Sequence, residues 1–144
     1  MSPHAAEPSN PIPTGRARAD RRRVGRVALA LLGAVGLVLK RHYSGPFQAT
    51  VWSYGGNVAV SFAVYFMLAA TPFGARLGGM VTAGTALLAV EAFELTDGFG
   101  LMRNVYERLD LVANGVGVAL AWVTDAALRA GTAGNRPRHD SPAS

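Results

Sequence analysis

The sequence predicts an all-α protein: a four-helix transmembrane bundle flanked by disordered N- and C-terminal tails. Three observations carry that expectation. Half of the 144 residues are hydrophobic and only 16% are charged, too little charge to cover the surface of a soluble domain of this size. The apolar residues are concentrated between Val24 and Leu128, so residues 1–23 and 129–144 have too little apolar material to fold alone. The apolar part divides into four runs near the length of a membrane span, and none shows the strict alternation that an outer-membrane barrel needs.

The first run, VGRVALALLGAVGLVLK, covers residues 24–40. At 1.5 Å per residue it is roughly 25 Å long, short for a hydrocarbon core of about 30 Å. Arg26 and Lys40 near its ends are long enough to snorkel. A basic segment followed by an apolar run also suits a signal peptide, but KRHYSGPF follows without a small-x-small cleavage pattern, which favours an uncleaved span. The second run, residues 51–70, has Trp52 and Tyr54 for one interface. TPF at 71–73 stops it, and the third run covers residues 76–95. The fourth covers residues 108–128, with Trp122 and Asp125 towards its far end. The short connection after the second run makes spans two and three antiparallel neighbours.

The net charge is +5 and the mean hydropathy +0.22. The basic residues do not form a nucleic-acid footprint. Arg16, Arg18, Arg21, Arg22, Arg23 and Arg26 form a block that abuts an apolar helix, the usual cytoplasmic anchor of a membrane segment. Such a block favours anionic lipid by about 1 kcal/mol per residue at the surface. With the N-terminus inside, ten of the 14 Lys and Arg residues face the cytoplasm and four (Lys40, Arg41, Arg103, Arg108) face out. The expected orientation has both termini on the cytoplasmic side of the membrane.

Polar residues inside the runs are the candidate site. Glu91 and Glu94 lie three apart on one helical face, and Asp110, Asn114 and Gly117 share a face of the fourth run. An ionised carboxylate in hydrocarbon costs about 2.5–3.5 kcal/mol on insertion scales, so such groups turn inward and find partners. Arg103, Arg108 and the Asn57 amide are the available partners. The expected cluster is Glu91, Glu94, Asp110, Asn114, Arg108, Arg103 and Asn57 at the outer end. Gly115 and Gly117 are expected to let helices pack closely, and Asp125 and Arg129 to form a solvated surface pair. The chain has no cysteine, and His4, His42 and His139 fall in tails or the first loop. That excludes thiolate metal sites and predicts no metal, no cofactor and no evident nucleophile–base pair.

Glu91-x-x-Glu94 followed by Asp110-x-x-x-Asn114-x-x-Gly117 resembles the VanZ-like family of small integral membrane proteins. That family carries Glu-x-x-Gln late in one span, a loop arginine, and Asp-x-x-x-Asn-x-x-Gly opening the next. The match covers residues 89–125; Glu94 stands where glutamine is usual, and Arg103 or Arg108 stands for the loop arginine. The resemblance implies a bacterial plasma-membrane protein. The family's founding member is linked to reduced sensitivity to the glycopeptide teicoplanin, a role the resemblance does not carry to this chain. The expected function is non-enzymatic, with an outward polar cluster that stabilises the bundle or binds an envelope lipid or protein partner. The alternatives are a membrane enzyme using Glu91 or Asp110 as acid/base on a lipid-linked substrate and, third, a proton or ion path.

Overall fold

The computed structural model describes residues 15–96 and 108–133. These form five α-helices and one 3₁₀ turn, with no strand among the described residues. α1 is Gly15–Leu39, followed by the 3₁₀ turn Lys40–His42; α2 is Gln48–Ala70, α3 Pro72–Arg76, α4 Gly79–Leu95 and α5 Arg108–Ala133.

α1 corrects the expected start of order. It begins nine residues before Val24, so Arg21, Arg22 and Arg23 lie on the helix and not in an unstructured tail. Arginine, alanine and leucine are all strong helix formers, and nothing between Gly15 and Val24 breaks the helix. Its far end tightens into the 3₁₀ turn. The chain then reverses through Tyr43–Phe47, where Tyr43 Oη donates to Pro46 O at 3.0 Å and Phe47 takes a left-handed φ of 62°.

The third run is also corrected. Its first residue, Arg76, belongs to a separate short helix, and α4 starts at Gly79. Pro72 holds Thr71 extended, which ends α2. Thr71 Oγ1 then accepts from Gly74 N at 2.9 Å, and proline in the first turn of α3 loses no needed donor. Gly74 is required here, because a Cβ would strike the Leu68 carbonyl. Two helices, Gln48–Ala70 and Arg108–Gly131, are long and apolar enough to cross a membrane. α4 falls short at 17 residues, and α1 spends its first twelve on six arginines and Asp20.

α2 is the central helix, packing against α1, α4 and α5. Its register with α1 is antiparallel: Arg26 reaches Ala69, Gly33 meets Ala59 and Ala63, and Lys40 reaches Trp52. Its register with α5 is parallel, pairing residues 57, 61 and 65 with 110, 114 and 125. α4 runs back along α5, with Gly79 beside Trp122 and Arg129. The start of α1 and the end of α5 therefore share one end of the molecule. Close approach depends on two glycines. A Cβ on Gly33 would lie 2.9 Å from both Ala59 O and Ala63 Cβ; one on Gly117 would lie 2.9 Å from Ser61 Cβ and strike the Val58 backbone. Gly115, expected to pack, has open space beside it, because it points about 160° around α5 from Gly117.

The core is small: Tyr65, Phe66, Ala69, Ala86, Val118 and Ala121 are buried together. The Tyr65 and Phe66 rings meet edge-on at 5.2 Å. Large apolar side chains point outward instead. Leu31, Val38, Met67, Leu88 and Val112 are each more than 60% exposed, while Ser61, Thr82, Asn114 and Asp125 are buried.

The two glycines of α5 give a contrast in sign. Gly117→Ala should destabilise the protein by about 1–3 kcal/mol, since the new methyl meets backbone that cannot yield. Gly115→Ala should stabilise it by up to about 1 kcal/mol through helix propensity. Thermal unfolding of the purified variants checks both; equal effects would contradict the packing described.

Candidate functional site

Two buried polar clusters lie along the α2–α5 interface, one at each end. The inner one centres on Asp125, which is 1% exposed. Arg26 on α1 donates to it twice, Nε to Oδ1 at 3.0 Å and Nη2 to Oδ2 at 3.2 Å. The remaining Arg26 nitrogen, Nη1, donates to Ala69 O at 2.7 Å, an acceptor free because it lies in the last turn of α2. Tyr65 Oη donates to Asp125 Oδ2 at 3.1 Å, and Arg129, one turn along α5, pairs with the same oxygen. One carboxylate thus ties α1, α2 and α5 together, with two guanidiniums and a phenol satisfying it. The expected solvated Asp125–Arg129 pair is corrected on this point. Asp125 faces the helix interface, on the same face of α5 as Asn114 three turns earlier.

The outer cluster joins α2, α4 and α5. Asn57 Nδ2 donates to Asp110 Oδ1 at 2.7 Å, and Ser61 Oγ donates to Asn114 Oδ1 at 2.8 Å. Asn114 on α5 and Glu94 on α4 both lie close enough to the Glu91 carboxyl group to act on it electrostatically. Asn114 therefore sits between α2, which it holds through Ser61, and Glu91 on α4. The second Glu91 oxygen, Oε2, is buried and accepts no hydrogen bond among the described residues.

The structure thus brings together Glu91, Asp110, Asn114 and Asn57, with Glu94 one turn beyond Glu91. Arg108 is exposed and takes no part in these hydrogen bonds. Arg103 lies outside the described residues. Gly117 sits directly beside the cluster against Ser61. Sequence reasoning missed Ser61 and Tyr65, and it missed the convergence of Arg26 on Asp125. A signal was present: Asn57, Ser61 and Tyr65 recur every four residues on one face of an otherwise apolar helix.

Among the described residues no group of three His, Cys, Asp or Glu side chains is placed to hold a metal ion. Both clusters are hydrogen-bonded arrangements that fix helix register, and the outer one also presents an unmatched acceptor. No family model, curated protein or solved structure matches this chain.

The inner cluster should behave as a buried pair. Asp125→Leu leaves Arg26 without its carboxylate and should cost about 3–5 kcal/mol, whereas Arg26→Met with Asp125→Leu together should recover much of that loss. Arg129 is the more exposed partner, its side chain 37% accessible, and can turn to solvent in both variants. A double-mutant cycle on unfolding free energies checks this; strictly additive losses would show that the two side chains do not interact.

Proposed function

We propose that this chain is a multi-pass membrane protein of the VanZ-like type, with α1, α2, α4 and α5 as a four-helix bundle in a bacterial plasma membrane. The observation that carries the proposal is the inverted distribution of polarity. Large apolar side chains cover much of the outside, and the buried positions hold Ser61, Thr82, Asn114 and Asp125 beside Tyr65, Phe66 and a set of small residues. Water penalises that surface and hydrocarbon does not. α2 contributes 23 consecutive uncharged residues, about 35 Å of helix. Aromatic side chains mark both ends: Tyr43 and Trp52 at one, Phe73 and Trp122 at the other. Arg21, Arg22, Arg23, Arg76 and Arg129 gather at the end that begins α1 and closes α5, which supports a cytoplasmic position for that end.

On this reading the outer cluster faces the extracytoplasmic side. It holds α2, α4 and α5 in register, and Glu91 Oε2 offers an acceptor to a donor group of an envelope lipid or protein partner. The grouping of Glu91, Asp110, Asn114 and Gly117 at one place supports the VanZ-like comparison. The role on this reading is non-enzymatic: among the described residues of the two clusters, the one hydroxyl held against a carboxylate is the buried phenol of Tyr65 on Asp125, which is spent on joining α2 to α5.

The chain has no natural cysteine, so single-cysteine variants report topology cleanly. Ser44→Cys should react with a membrane-impermeant maleimide in intact cells, and Ala75→Cys only after permeabilisation. The reverse pattern would overturn the orientation. Release of the protein into the soluble fraction by alkaline carbonate would overturn the membrane reading itself.

A further inference from the structure

An open groove of about 470 Å³ lies between α1 and α2, within the size range of small-molecule sites. Its floor is Gly36, Gly55, Val58, Ala59 and Phe62, and Lys40 stands at its outer mouth. Two of its glycines differ from those that serve packing. A Cβ on Gly36 would meet nothing closer than Ala59 Cβ at 3.8 Å, and one on Gly55 nothing closer than Val51 Cγ1 at 3.4 Å. They leave space that no described residue fills, although glycine costs helix stability.

The charge around the mouth is of one sign. No Asp or Glu occurs between Arg21 and Val90, so Lys40 and the exposed Arg41 have no carboxylate on α1, α2 or α3 near them. Among the described residues the acidic groups of that end, Glu91, Glu94 and Asp110, belong to α4 and α5. Lys40 Nζ spends one donor on Trp52 O at 3.3 Å, and an ammonium carries three. Trp52 Nε1 in turn donates to Tyr43 O at 3.2 Å, which fixes the rim.

We infer that this groove binds one anionic phospholipid, its acyl chain along Gly36, Gly55 and Ala59 and its phosphate against Lys40 and Arg41. An apolar trough lined by Lys40 at one end, with the exposed Arg41 next along the turn, matches the order of acyl chain and phosphate in a bilayer leaflet, and the charge selects an anionic headgroup over a zwitterionic one. The inference rests on the membrane reading proposed above.

Native mass spectrometry of the full chain in detergent, titrated with phosphatidylglycerol or phosphatidylcholine, tests it. The wild type should retain one phosphatidylglycerol in preference to phosphatidylcholine. Lys40→Gln with Arg41→Gln should weaken that binding by about fivefold per cation, roughly 30-fold together. Gly36→Leu with Gly55→Leu should abolish it while the thermal unfolding curve is kept, since both positions have room. Equal retention of the two lipids, or undiminished binding by the filled groove, would overturn the inference. So would a wild-type dimer that the filled groove dissociates, because a second copy would then be the occupant. A chain that stays in solution without detergent overturns the membrane reading as well; one that needs detergent but does not distinguish the lipids overturns the groove alone.

Discussion

The position of α1 depends on a single carboxylate. Helices α2, α4 and α5 touch one another, but α1 packs chiefly on α2, and Arg26 is the arm that carries it across to α5. Asp125 receives that arm together with Tyr65 and Arg129. Because Arg26 also caps the Ala69 carbonyl, the contact fixes where α1 sits along α2 and where α2 sits along α5. Gly33 then falls opposite Ala59 and Ala63, where no larger residue would fit. A buried ion pair of this kind adds little net stability over a hydrophobic replacement; its effect is to penalise every other register, since any slip leaves a charge unpaired.

The same logic explains how so small a core suffices. On the membrane reading proposed above, the exposed leucines and valines gain nothing by turning inward, and association comes from close backbone contact and from polar pairs. Both devices lie along the α2–α5 interface. Gly117 brings the backbones together beside Ser61, and Asn57–Asp110, Ser61–Asn114 and Tyr65–Asp125 set the alignment from one end to the other. Each side chain of these three pairs has its hydrogen-bond partner on the neighbouring helix.

How much of this was legible in the sequence follows from where the information sits. Helix content follows from composition and the end of α2 at Ala70 from Pro72, while α2 starts at Gln48, three residues before the expected Val51. Glu91, Asp110 and Asn114 stood out because charged and amide groups in apolar runs need partners, and their spacing placed them on shared faces. Ser61 and Tyr65 carried less signal, since hydroxyls are common in apolar helices and usually bond their own backbone, as Thr85 and Thr124 do here. The convergence of Arg26 on Asp125, 99 residues away, depends on interhelical register, which no local pattern contains. The difference between Gly115 and Gly117 has the same origin: the two share one helix, and only the position of α2 separates them.

The spacing of the two clusters also decides what they do. From Asn114 to Asp125 is eleven residues of α5, about 16 Å. The buried residues of that stretch are Gly117, Val118 and Ala121, and its one hydroxyl, Thr124, bonds Leu120 O of its own helix at 2.8 Å. Facing them on α2, the three residues between Ser61 and Tyr65 are Phe62, Ala63 and Val64. A proton moving between the clusters would need a relay of hydroxyls, amides or waters, and this stretch is packed with carbon. The clusters are therefore separate. At the inner one the Asp125 carboxylate is matched by donors from α1, α2 and α5. At the outer one Asn114 accepts from Ser61, and Glu91 Oε2 is buried with no hydrogen bond among the described residues. Each cluster therefore fixes helix register at its own end, and a slip of α5 along α2 would break both sets of contacts together.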